Sequence, residues 1–289
     1  MTESSIKYVP VIKIIDDECT ETSDALAMED PLEIRLEFGP LGERTMKNIS
    51  VTMRTPGHDA ELAVGFLFTE GIIKNPEDIT SVDYSFTPCA ENKKNVIQVR
   101  LNEVIFPNIQ SIERNFYTTS SCGVCGKGSI NAIKTVGVFS HQKDVQLIFK
   151  ADLLYQLPDI LQQHQAIFAD TGGLHASALF SQTGELLLVR EDVGRHNALD
   201  KLIGYALNSN WLPLSENILL LSGRASFELV QKAAMAGIKI IASVGAPSSL
   251  AVELAEEFNI TLAGFLRNRR FNIYTAGHRI LLPIHENTI

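Results

Sequence analysis

The sequence predicts a mixed chain, α+β overall, in which a small N-terminal α+β domain precedes a larger layered α/β domain. Three observations predict it: a period-two apolar pattern in the first hundred residues, a glycine-rich polar stretch near residue 120, and apolar runs alternating with helical patterns after about Ala166.

Taken in order, Leu32, Ile34, Leu36 and Phe38 alternate with Glu33, Arg35 and Glu37, the signature of a strand with one buried face. Val96 to Leu101 has the same character. Between them, Thr55-Pro56-Gly57-His58-Asp59 supplies turn residues and Asp59 as the expected N-cap of an apolar helix, Ala60 to Phe68, ending near Gly71. Residues Asn115 to Ser129 follow neither period and mark the boundary. The division expected is 1–118 for the first domain, 119–129 for a mobile loop and 130–289 for the second domain. In the latter, Ile218 to Leu221 and Ile238 to Val244 are continuous apolar runs, each followed by a Ser/Gly loop and a helix, and Ile260 to Leu266 makes a third strand. Runs apolar on both faces and joined by helices argue for parallel strands covered on each side.

The chain has 289 residues, 25 basic and 34 acidic side chains and a net charge of -9, which disfavours nonspecific binding to nucleic acid or to an anionic membrane. No apolar run approaches the roughly 18 residues of a membrane helix, and Met1 to Lys7 lacks a signal-like apolar stretch, so a cytoplasmic location is expected. The four cysteines, Cys19, Cys89, Cys122 and Cys125, are too few and too unevenly spaced for a disulfide framework.

Ser121-Cys122-Gly123-Val124-Cys125-Gly126-Lys127 concentrates two thiols, flexible glycines and a cation. A neighbouring thiol or ammonium stabilises a thiolate, the reactive form, so Cys122, with the Cys125 thiol nearby, is the candidate nucleophile. Half a zinc knuckle is the competing reading of Cys-x-x-Cys, but no second pair exists. A thioredoxin-type site would follow a strand, and no apolar run leads into this loop.

In parallel sheets ligands bind beyond the carboxyl ends of the strands. Three segments there stand out: Ser222-Gly223-Arg224-Ala225-Ser226, Gly245-Ala246-Pro247-Ser248-Ser249 and Arg267-Asn268-Arg269-Arg270. Helix N-termini and guanidinium groups on one rim would suit phosphates, whereas each loop alone could equally be a capped helix and a solvated face. Asp170-Thr171-Gly172-Gly173-Leu174-His175 and Glu191-Asp192-Val193-Gly194-Arg195-His196-Asn197 add Gly172 and Gly173, which permit close backbone approach, and His175, Arg195, His196 and Asn197 as candidates to hydrogen-bond a heteroaromatic ring or bind phosphate, with His175 as readily a satisfied core histidine. His58 is read as a turn residue.

These motifs, together with Glu61 to Leu67, Ala198-Leu199-Asp200-Lys201, Phe227-Glu228 and Leu250-Ala251, resemble in their order the formate dehydrogenase accessory sulfurtransferase family, FdhD/NarQ, over most of the chain. The resemblance implies a sulfurtransferase in which a cysteine desulfurase loads Cys122 with persulfide sulfur. The sulfur is then passed to the molybdenum or tungsten of a bis(molybdopterin guanine dinucleotide) destined for formate dehydrogenase; a chaperone that only binds this cargo is the alternative. It also implies that Phe265, Leu266, Arg267, Asn268, Arg269 and Arg270 contact the cargo, beside Ser222, Gly223, Arg224 and Ser248 of the rim read from the strand ends, and that the second domain is cytidine-deaminase-like. Deamination needs His-x-Glu and a later Pro-Cys-x-x-Cys. Here Ala176 and Ser177 follow His175 and no cysteine follows Cys125, so neither deamination nor a structural metal is expected. Two guanine arms make a homodimer reasonable.

Overall fold

The computed structural model of the chain describes residues 5–85, 94–107 and 147–282. The chain starts as a ribbon of two antiparallel strands, β1 (Ile6–Ile15) and β2 (Glu18–Ala27), turned at Asp16 and Asp17, both left-handed. A four-stranded sheet follows, ordered β4 (Thr45–Arg54), β3 (Asp30–Phe38), β6 (Val96–Leu101), β5 (Ile79–Tyr84), with β3 and β6 parallel. The alternation in β3 sends Leu32, Ile34, Leu36 and Phe38 into the core as the period requires.

Helix α1 (Asp59–Thr69) packs its leucines and Phe68 on that sheet. Its start corrects one expectation. The N-cap position is His58, in the left-handed conformation and without a side-chain cap bond. Asp59 lies inside the helix and is buried, its carboxylate accepting hydrogen bonds from the Arg54 guanidinium and the Tyr84 hydroxyl. A buried arginine beside it gives the carboxylate a stronger partner than helix amides offer.

The second part is a six-stranded sheet ordered β13 (Arg270–Thr275), β12 (Thr261–Arg267), β11 (Ile240–Ser243), β10 (Ile218–Leu221), β8 (His175–Phe180), β9 (Leu186–Asp192). The three strands read as apolar runs, β10 to β12, are parallel neighbours; β8, β9 and β13 run antiparallel to their neighbours and make the sheet mixed. Side chains alternate between two cores. Leu219, Leu221, Ile241 and Leu262 face helices α4 (Arg195–Asn208), α5 (Phe227–Met235) and α6 (Ser249–Glu257), whereas Leu220, Ile240 and Ala242 face α2 (Ala151–His164). Two covered faces are why these strands read as unbroken apolar runs. A short pair, β7 (Phe149–Lys150) with β14 (Ile280–Leu281), closes the α2 side, and the short helix α3 (Ala166–Thr171) leads into β8.

Helix α1 crosses α4 through two glycines. A Cβ added to Gly65 would overlap the Asp200 carbonyl, and one added to Gly204 would overlap the Glu61 carbonyl, so the backbones touch directly. One buried cluster therefore runs from the four-stranded sheet through α1 and α4 to the six-stranded sheet. The expected 119–129 boundary lies outside the described residues. Among the described residues, no helix is long and apolar enough to cross a membrane.

Candidate functional site

The carboxyl ends of β10 and β11 open on one rim. Gly245 N donates to Gly223 O at 2.9 Å, Ser248 N donates to Ala225 O at 3.0 Å, and Ala225 bridges Pro247, so the loops after the two strands lie side by side. Phe265 N donates to Gly245 O at 3.0 Å, adding β12 to the same rim. The antiparallel β8 begins there: Ser222 Oγ accepts from Ala176 N at 2.8 Å, and a Cβ on Gly223 would stand 3.2 Å from His175 Nδ1. Gly264 is equally crowded, since a Cβ there would meet Pro247 Cδ at 2.8 Å and the Tyr274 ring at 3.1 Å. Glycines at the strand ends thus bring backbone, imidazole and aromatic ring together.

The electrostatics of the rim are cationic. Partial burial, then Arg195, His196 and Arg224, hold His175 below the usual histidine value of 6.5 against the opposing pull of Asp192. A neutral imidazole among guanidinium groups can accept one hydrogen bond and donate another. His196, in the first turn of α4, places Nε2 3.3 Å from Ser226 Oγ and 3.8 Å from Glu228 Oε2. Burial works against ionisation of Glu228, yet bonding to His196, to the α5 backbone and to Ser226 brings its carboxyl down to about 2. Glu228 is therefore an anion that orients His196.

The structure gathers His175, Arg195, His196, Ser222, Gly223, Arg224 and Ser248 around this rim. Two of the hydroxyls are already engaged: Ser222 in the bond to β8 and Ser248 as N-cap of α6, accepting from Ala251 N at 3.2 Å. The third segment divides. Phe265 is left-handed at a bulge and joins the rim through its backbone, whereas Leu266 is fully buried in the core against α2. Arg267, Asn268, Arg269 and Arg270 form the exposed turn of the β12–β13 hairpin, and Arg269 leans over the Tyr155 ring and toward Asp152 of α2. The turn thus inclines to the opposite face of the sheet from α4 to α6. Gly172 ends α3 in a left-handed conformation, and Gly173 lies beside Ala27 at the root of the ribbon. Cys122 and Cys125 lie outside the described residues, as does Cys89. Among the described residues no cluster of His, Cys, Asp and Glu could hold a metal ion.

Sequence reading missed an interlock beneath the rim. Asp192 bonds Lys201 Nζ at 2.7 Å, Gly194 N at 2.8 Å, Thr55 N at 3.1 Å and Asn197 Nδ2 at 3.1 Å. Asn197 also donates to Met53 O at 2.8 Å, and Val193 N donates to Thr55 Oγ1 at 3.1 Å. The Thr55–Asp59 and Glu191–Asn197 motifs are therefore partly one structural joint. Asn197 and Lys201, four apart on one helix face, are the signal that could have shown it.

The chain is similar to proteins of known family. The model of the FdhD/NarQ family matches residues 27–281. A protein from Streptomyces avermitilis named sulfur carrier protein FdhD is 50% identical over 275 residues, covering 94% of each chain. One of the same name from Saccharolobus solfataricus is 39% identical over 275 residues, 95% of this chain and 98% of the relative. The crystal structure of a putative formate dehydrogenase accessory protein from Desulfotalea psychrophila superposes with a TM-score of 0.71 at 23% identity, over 96% of this chain and 100% of that one.

Proposed function

The chain belongs to the FdhD/NarQ family, and on that premise we propose that it is a cytoplasmic sulfurtransferase serving formate dehydrogenase. The observation that carries the reading is end-to-end similarity at 50% identity to a named sulfur carrier, in a chain whose paired thiols are Cys122 and Cys125. The Cys122 thiolate attacks the sulfane sulfur of a cysteine desulfurase persulfide; a new S–S bond forms on Cys122 and the desulfurase thiolate leaves. Onward transfer follows when the Cys125 thiolate attacks Cys122 Sγ: a Cys122–Cys125 disulfide forms, the outer sulfur leaves as hydrosulfide for the metal, and a dithiol reductant then returns both cysteines to thiols. The cargo that receives the sulfur is the molybdenum or tungsten of bis(molybdopterin guanine dinucleotide).

The rim supports a guanine dinucleotide arm as ligand. Arg195 and Arg224 suit phosphate, the N-termini of α5 and α6 add backbone donors, and the neutral His175 offers both hydrogen-bond roles to a base edge. A two-fold dimer would give one rim to each arm.

Cys122→Ala tests the reading in cells that lack any other copy. The variant is expected to fold and to bind guanosine diphosphate as the parent does, yet to leave formate dehydrogenase inactive. Fully active dehydrogenase from those cells would refute sulfur transfer and leave a binding chaperone. Arg224→Ala should weaken guanosine diphosphate binding about tenfold or more, the size of a lost charge-assisted contact.

A further inference from the structure

Ser177 is 1% exposed, and among the described residues it is the only buried hydroxyl without a hydrogen-bond partner. A buried group left unpaired costs stability, so its presence in the fold needs a reason. Strand β8 alternates: Ala176, Ala178 and Phe180 enter the core against α2, which sends His175 and Ser177 to the opposite face, shared with Leu179 and helix α4. Across the sheet Ser177 stands between Arg190 of β9 and Leu221, the last residue of β10 before the rim loop. It therefore lies one layer beneath the rim.

The layer above it is His175, with Asp192 opposite on β9 and Gly223 alongside. Gly223 brings no side chain, and a Cβ on it would stand 3.2 Å from His175 Nδ1. The half-buried imidazole is thus the cover over the Ser177 hydroxyl. Acceptors are scarce on this cationic rim. Asp192 is filled by Lys201, Gly194, Thr55 and Asn197. Ser222 Oγ accepts from Ala176 N, Ser248 Oγ accepts from Ala251 N, and Ser226 Oγ is paired with His196. A base edge that carries N–H groups needs acceptors, as phosphates need guanidinium groups.

We propose that Ser177 is a specificity-determining residue of the rim: when the His175 ring turns aside, the Ser177 hydroxyl accepts a hydrogen bond from the exocyclic amino group of the guanine. The inference rests on the guanine reading given above and deepens it by naming the group that is read. Hypoxanthine lacks only that amino group, so it leaves the hydroxyl unpaired. A site with a buried polar group rejects the analogue that cannot satisfy it.

Calorimetric titration of the full chain with guanosine diphosphate and with inosine diphosphate, on the parent and on Ser177→Ala, tests this. The parent should bind guanosine diphosphate about three- to tenfold more tightly, the size of one hydrogen bond. Ser177→Ala should bind the inosine nucleotide at least as tightly as the parent does and should prefer neither. Its melting temperature without nucleotide should be unchanged or higher, because no bond within the chain is lost. A parent without preference, a variant that keeps the preference, or a variant whose melting temperature falls by more than about 2 °C would each overturn the role of Ser177 while the nucleotide site stands. A parent with no saturable guanosine diphosphate binding would overturn the guanine reading itself, and this inference with it.

Discussion

His175 is neutral because it is partly buried and ringed by Arg195, His196 and Arg224, and that state makes it useful to a ligand with both donor and acceptor edges. Its ring resonances in an NMR titration should midpoint below 6.5, and Arg195→Gln should move the midpoint up. A midpoint at or above 6.5 in the parent would contradict the cationic rim. Glu228 behaves oppositely. Its folded-state value of about 2 lies below the ordinary 4.5, so its contribution to stability is whole above about pH 4.5 and is lost as the pH falls toward 2. Glu228→Gln should therefore flatten the acid limb of a stability profile between those values and leave neutral stability less affected by pH; an unchanged limb would contradict the pairing. At this scale the sequence was half legible. His175 and His196 stood out by polar density at a strand end, but Glu228 became meaningful only once α4 and α5 were neighbours. Asp59 looked like a cap because residue type alone cannot show the buried Arg54 that engages it.

Among the elements, the α1–α4 crossing has the least tolerance. Gly65→Ala or Gly204→Ala puts a methyl into the opposite backbone and should cost about 3 kcal/mol, read as a lower melting temperature and denaturant midpoint. A near-neutral effect at both positions would mean that the helices do not cross there. Strands β3, β6 and β10 to β12 were legible because their periods follow directly from which faces are covered. The β12–β13 hairpin was not: Leu266 lay within an attractive run of arginines, and only the bulge at Phe265 turns it into the core against α2. The isolated ribbon was also unread, because β2 has few of the alternating apolar residues by which a half-buried strand is recognised.

Across the whole molecule, buried ion pairs join the two sheets. Lys201 links Asp192 to the Thr55 carbonyl, and Lys232 binds Asp200, which also accepts from Thr69 of α1. Removing one member strands a charge, so Lys201→Met should destabilise by roughly 3 to 5 kcal/mol. Since the described residues of both sheets share one core, calorimetry should show one unfolding transition; two resolved transitions would contradict a shared core. The boundary expected at the polar, glycine-rich stretch near residue 120 lies outside the described residues, and the contacts that join the two sheets are separated by more than a hundred residues and leave no local pattern in the sequence.

The central claim is that Cys122 carries sulfur, and intact mass spectrometry tests it most directly. After incubation with a cysteine desulfurase and cysteine, the chain should gain the mass of one sulfur, located on the Cys122 peptide and removed by reductant. No such gain, or an equal gain in Cys122→Ala, would contradict it.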